Sequence, residues 1–208
     1  MAKIIAMLGE KGGSGKSSLA HLLAHGLGSL PKTIDAAVVV TDPADDIHQI
    51  PRRYFVADGR DHAHLPAVLQ KLDQQGERFV VVVDGAAGRL AVDQALMKVA
   101  DLILIPTTPA HHDVVRAAKS LERLPEAVAV PNRWPSHPQA RQHANKLLDL
   151  LPRDRVMDAI GTISKVADLM HPNEYGRAAT SLSRPGQAFA LEVLHRLGVH
   201  PFDLHRRD

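Results

Sequence analysis

Seven residues near the start of the chain, Lys11-Gly12-Gly13-Ser14-Gly15-Lys16-Ser17, constrain the fold more than any other segment. They follow an apolar run, Ile4-Ile5-Ala6-Met7-Leu8, and lead into a helical pattern, Ser18-Leu19-Ala20-His21-Leu22-Leu23. Strand, glycine loop and helix in that order form the context of a phosphate-binding loop. Glycine lets consecutive backbone N–H groups curl round an anion with no side chain in the way. The helix behind the loop turns its positive end, worth roughly half a charge, to the same place. In such a loop Lys16 reaches the β- and γ-phosphates of a nucleotide, and Ser17 holds Mg²⁺.

The rest of the chain alternates between β-rich apolar runs and helical patterns, which predicts an α/β fold. Strands are expected at Lys3–Leu8, Ala36–Thr41, Tyr54–Ala57, Phe79–Asp84, Leu102–Pro106, Ala127–Pro131 and Val156–Ile160. Their near-continuous Val, Ile and Leu content marks strands buried on both faces of a mostly parallel, twisted sheet. Helices are expected at Lys16–Leu27, His64–Gln75, Leu90–Val99, His111–Leu124, Pro138–Leu150 and Pro185–Leu197. No linker divides the 208 residues, so 1–208 reads as one domain.

Ligands of such sheets sit beyond the C-terminal ends of the strands. Phe79-Val80-Val81-Val82-Val83-Asp84 ends an apolar strand in a carboxylate, the Walker B arrangement that places Asp84 beside the loop for Mg²⁺. Gly85-Ala86-Ala87-Gly88 follows. Val38-Val39-Val40-Thr41-Asp42-Pro43 ends a second strand in Asp42, with Asp45 and Asp46 as nearby alternatives. Pro131-Asn132-Arg133 ends a later strand, and Leu102-Ile103-Leu104-Ile105-Pro106-Thr107-Thr108-Pro109 closes another in a proline turn.

A strict P-loop has glycine at position 10, where this chain has Glu10, and Lys11 opens the loop with a second lysine. That is the deviant Walker A box, and the chain resembles the ParA/MinD group of ATPases from the P-loop to the helix that contains Gln187–Leu194. The resemblance implies that Lys11 reaches across a dimer interface to the partner's ATP. A cation supplied in trans neutralises charge on the transferring phosphoryl group. It implies Lys11, Lys16 and Asp42 as catalytic residues, with Asp42 orienting the attacking water. It implies nucleotide contacts from Gly12, Gly13, Ser14, Gly15, Lys16, Ser17, Ser18, Gly88 and Asn132. Gly88 matches the glycine that senses the γ-phosphate. Asn132 matches the amide that reads adenine, whose donor and acceptor suit the base edge. Ser17, Asp42 and Asp84 form the implied Mg²⁺ set, with ATP and ADP as the nucleotides. The chain departs from the group at Val40 and Ala44, where an aspartate and a glutamine are usual, and at Ala86 and Ala87, where prolines are usual. The departures at Val40 and Ala44 imply that hydrolysis survives on Asp42 but is slower or differently controlled.

Composition removes relatives that share this loop. With no cysteine there is neither a disulfide nor a thiolate set for an iron–sulfur cluster. No apolar run approaches the length of a transmembrane helix, and Lys3-Ile4-Ile5 has no signal-peptide form, so a cytoplasmic location is expected. The histidines, including His21 and His25 four apart, lack an acidic third ligand at metal-site spacing.

The resemblance is to the small partition type, of which ParF is an example. It implies a homodimer formed on ATP binding, nonspecific contact with double-stranded DNA, nucleoid association in that state, and a ParB-like centromere-binding partner that stimulates hydrolysis. Net charge is only +2, yet from residue 111 onward bases exceed acids by about three. Arg141, Lys146, Arg153, Arg155, Arg177 and Arg184 are the candidate phosphate contacts. The alternative is a MinD-like ATPase at a membrane, or one positioning a non-DNA cargo. A membrane role needs an amphipathic tail, and Pro201-Phe202-Asp203-Leu204-His205-Arg206-Arg207-Asp208 offers only two large apolar side chains. A small-molecule kinase or ligase would need a further substrate pocket with its own polar groups.

Overall fold

The Val/Ile/Leu runs form six strands because their side chains alternate between two cores on opposite faces of one sheet. A computed structural model describes residues 1–199, apart from Gln49, Ala87, Arg89 and Tyr175. The Pro201–Asp208 tail and Ala87 lie outside the described residues. The strands are β1 Lys3–Met7, β2 Asp35–Val40, β3 Phe55–Asp58, β4 Phe79–Asp84, β5 Leu102–Thr107 and β6 Ala127–Pro131. All pair in parallel, in the order β3-β2-β4-β1-β5-β6. The expected α/β sheet is therefore present and wholly parallel.

The helices are α1 Lys16–Leu27, α2 Leu65–Asp73, α3 Leu90–Met97, α4 His111–Arg123, α5 Pro138–Leu147 and α6 Ser183–Arg196. α6 begins before Pro185 because the first turn of a helix has no N–H to lose to proline. Ile5, Met7, Val38, Val80 and Val82 meet α1 and α6 on one face. Ile4, Ala6, Val39, Val81 and Val83 meet α2, α3 and α4 on the other. No described helix is long and apolar enough to cross a membrane.

The seventh expected strand, Val156–Ile160, does not form. It makes only an isolated bridge, Val156 to Ala129, along the outer edge of β6. Met157 N–H donates to Ala129 O at 2.9 Å, but the next donor, to Pro131 O, is Ile160 at 2.8 Å. A regular ladder advances two residues, not three, and Pro131 has no N–H to return.

α1 and α6 cross where both are glycine. A methyl group at Gly26 would sit 2.0 Å from the Gly186 carbonyl oxygen, and one at Gly186 would sit 3.1 Å from Gly26 Cα. Both neighbours are helix backbone and cannot turn aside. Gly26→Ala is expected to cost on the order of 2–3 kcal/mol by forcing the helices apart. A lowered urea midpoint at unchanged slope would show it. An unchanged midpoint would mean that the crossing slides freely.

Candidate active site

The strand order brings the expected motifs to one edge. β1 lies centrally, and register sets Met7 and Val40 on either side of Asp84. The loop after β1, the end of β4 and the end of β2 therefore emerge side by side. The chain leaves β1 toward β2 on one flank and later fills the other with β5 and β6. This is the switch point at which parallel sheets bind ligands.

Gly15 caps α1 in the left-handed region, φ 97°, and Gly13 has φ 83°. A side chain at Gly15 would also collide with Asn132, whose Nδ2 lies 2.1 Å from the position of an added Cβ. Lys16, at 7% exposure, donates from Nζ to Lys11 O at 2.9 Å. Burial lowers its pKa, opposed by the charges of Asp84, Asp93, Asp42 and Asp45. Ser14 is buried, while Ser17 and Ser18 are half-buried at the start of α1.

Asp84 is buried, and its Oδ1 has no partner among the described residues. Burial pushes its carboxyl up to about 7. A hydrogen bond from Ser17 and the charge of Lys16 oppose this, and Asp45 and Asp42 add to it. A lone buried carboxylate oxygen beside a serine hydroxyl is a hard oxygen donor set, so the residues fit Mg²⁺. Thr41 ties the strand ends together. Its hydroxyl donates to Asp84 O at 2.7 Å and accepts from Ala86 N–H at 3.0 Å.

Asp42 accepts from Ala44 N–H at 3.0 Å in a turn. Asp45, three residues on, lines a small cavity with Ser17, His21, Arg52 and His171. Burial, then Asp42, raises the Asp45 carboxyl. Both acids therefore stand near the loop. Gly88 has φ 74°, a conformation that favours glycine at that position.

Asn132 is buried, and its amide braces the loop. Nδ2 donates to Ser14 O at 3.0 Å, and Oδ1 accepts from Arg133 N–H at 2.9 Å. It also lines a cavity of about 230 Å³ with Ser18, Leu22, Arg133, Thr162, Ile163 and Val166. One amide hydrogen and one carbonyl lone pair remain for a ligand. Arg133 holds φ 56°, the one non-glycine residue with positive φ among those described.

Lys11 folds back onto its own subunit with its side chain still partly exposed. Its Nζ lies 2.8 and 2.9 Å from the two carboxylate oxygens of Asp113, in the first turn of α4. Burial pushes the Asp113 carboxyl up. Hydrogen bonds from Lys11 and Thr108 and the charges of Lys11 and His112 outweigh that and hold it below the ordinary range. Sequence reasoning missed Asp113, Thr108 and Thr41. An acid in the first turn of a helix reads as a favourable dipole contact, which hides its pairing with a residue a hundred positions away.

The histidine pair on α1 has a structural role on one side. Tyr54 donates to Leu169 O at 3.1 Å, so His21 Nδ1–H donates to Tyr54 Oη at 2.7 Å. Burial holds His21 down to about 3, with the charges of Arg52 and His171 adding to it.

No family model matches the chain, and no curated protein matches its sequence. Solved structures do match over nearly the full length. An ATP complex of Cyanothece McdA aligns with TM-score 0.61 and 17% identity, over 96% of this chain and 97% of that one. The MinD cell division protein of Aquifex aeolicus gives 0.68 and 17%, over 95% and 97%. A plasmid partition protein from Borrelia burgdorferi B31, bound to AMPPNP, gives 0.67 and 14%, over 94% and 100%. The chain thus has the fold of the ParA/MinD ATPases.

Proposed function

We propose that the protein is a ParA-type partition ATPase that binds ATP, closes as a homodimer, holds DNA nonspecifically and releases it on hydrolysis. The observation that carries this reading is the second lysine. Lys11 stands at the lip of a loop around which Lys16, Ser17, Asp84 and Asp42 converge, with its side chain 36% exposed.

The loop N–H groups and Lys16 bind the phosphates, and the cavity beside Asn132 takes the base. Ser17, Asp84 and Asp42 would hold Mg²⁺, which screens the phosphate charge when bound. Asp42 orients water toward the γ-phosphorus. The water oxygen bonds to phosphorus, the bond to the ADP oxygen breaks, and ADP and phosphate leave. Lys11 of a second copy offsets the charge on the transferring group, so turnover requires the dimer.

A basic surface supports the DNA step. Arg141 and Lys146 are exposed on α5, and Arg177 and Arg184 are exposed nearer the C-terminus. Two of the expected contacts are already engaged. Arg155 donates to Ala127 O at 2.9 Å and Leu121 O at 3.1 Å, capping α4 and the turn before β6. Arg155 is therefore withdrawn from the DNA set, and Arg153 pairs with Asp149 at 3.3 Å. Pairing two weakly basic faces doubles the phosphates neutralised, so DNA affinity should fall steeply with salt. A ParB-like protein is the partner proposed to stimulate hydrolysis.

A second reading gives the same cycle a membrane or a non-DNA cargo. MinD, a cell division protein, matches the fold as well as the partition protein does, and Aquifex MinD is also solved in complex with MinC. Liposome co-sedimentation against duplex binding separates the two.

Asp42→Ala is expected to bind ATP and dimerise while turnover falls at least about a hundred-fold. Phosphate release at saturating ATP measures it. Turnover at the parent rate would pass the role to Asp45.

A further inference from the structure

We infer that Thr41 is a positioning residue for hydrolysis: its hydroxyl fastens the loop after β4 to the end of β2, so that Asp42, Asp84 and Gly88 keep one arrangement around the γ-phosphate. The inference rests on the ATPase reading and adds a residue that acts through others. The ladder between β2 and β4 ends at the pair Val40 and Asp84. Beyond it one chain carries Asp42 and the other carries Gly85 to Gly88, so both run on past the last backbone pairing.

Thr41 supplies a bond where the ladder stops. It is fully buried, and its hydroxyl is used on both sides. A carbonyl only accepts and an amide N–H only donates. The hydroxyl proton therefore goes to Asp84 O at 2.7 Å, and a lone pair takes Ala86 N–H at 3.0 Å. Gly85 N–H, between these contacts, donates to Met7 O on β1 at 3.1 Å. Two consecutive N–H groups of the loop are thus held by the two strands that flank β4. An added Cβ at Gly85 would lie 2.5 Å from Met7 O, so the loop cannot drop toward β1. Asp42 follows Thr41 directly and opens a turn closed by Asp45 N–H to Asp42 O at 3.1 Å. A shift of the loop is passed to Asp42 through one side chain. The bond needs an N–H at position 86, which a proline would lack, so the alanine there makes it possible. Burial at a strand end does not by itself create such a tie. Thr107, at the end of β5, is nearly as buried, yet its hydroxyl has no partner among the described residues.

The test is ATP turnover and ATP affinity in Thr41→Val, which keeps the shape and loses donor and acceptor. Turnover at saturating ATP should fall about ten-fold while the dissociation constant stays within about three-fold, because misplaced groups slow the step without removing phosphate contacts. Thr41→Ser should return to within about two-fold of the parent. Thr107→Val should turn over as the parent does. Parent turnover in Thr41→Val, a weakened affinity that accounts for the whole loss, or an equal loss in Thr107→Val overturns the inference. Amide exchange at Ala86, followed by NMR in protein free of nucleotide and Mg²⁺, tests the tie without activity. It should be slow in the parent and in Thr41→Ser, and fast in Thr41→Val. Exchange in the parent at the rate of an open peptide overturns the tie, whatever the variants do. If Ala86 is protected but the parent does not hydrolyse ATP, the tie holds and its role in turnover falls with the ATPase reading.

Discussion

Lys16→Ala is expected to weaken ATP binding by about a hundred-fold or more. Lys16 is nearly buried, and its ammonium is aimed along the loop at the Lys11 carbonyl, 2.9 Å away. It is also the cation that offsets Asp84, Asp93, Asp42 and Asp45. On the proposed reading it makes charge-assisted bonds to two phosphates, each worth about 1.5–3 kcal/mol, so losing both costs two to four decades of affinity. Removing it also leaves the nearby carboxylates with less to balance them, which adds repulsion against an incoming triphosphate. Isothermal titration calorimetry gives the answer. An affinity within a few-fold of the parent would show that the backbone N–H groups alone carry the phosphates and that Lys16 is not aimed at them.

The second large effect is a pH-dependent cost at Asp84. Its carboxyl titrates at about 7 in the fold, against an ordinary 3.8. Between those values the folded chain holds a proton that the unfolded chain has lost, so the stability contributed by Asp84 falls as pH rises from about 4 to about 7. A difference of that size is on the order of 4 kcal/mol. Asp93, pushed up to about 6 by burial against the pull of Lys16, acts in the same direction. His21 acts the other way. Held down to about 3, it stays neutral in the fold, and its contribution is lost as pH falls from 6.5 toward 3. The net profile mixes these opposing groups, so the clean comparison is Asp84→Asn against the parent at each pH. Without Mg²⁺ or nucleotide, the variant should be the more stable protein at pH 8, with the gap closing toward pH 4. Equal denaturation midpoints at pH 8 would mean that the Asp84 carboxylate is solvated.

The parts of this site that depend on local pattern were legible in the sequence. A glycine loop between an apolar run and a helix can do little else, and Lys16–Leu27 is the helix expected to the residue. Asp84 was legible because a five-residue apolar run ending in a carboxylate has no other reason to be buried. What escaped depends on partners far away in the chain. Val156–Ile160 has strand composition, yet Pro131 on the neighbouring edge breaks the ladder. Arg155 reads as a surface cation until the fold places the carbonyls of Ala127, Leu121 and Leu124 around it. Asn132 reads as a base contact, but the close approach of Gly15 also makes it a brace for the loop. Lys11 announces itself in the motif, whereas its partner Asp113 becomes visible only when β5 and α4 deliver it beside the loop.

The most direct test of the central claim is binding to a random-sequence DNA duplex with ATP, with ADP and with Lys11→Ala in ATP. The account predicts binding with ATP alone, lost with ADP and lost in the variant although it still binds ATP. Equal binding in all three conditions, or none in any while ATP still drives dimerisation, would contradict a DNA-tethered partition cycle.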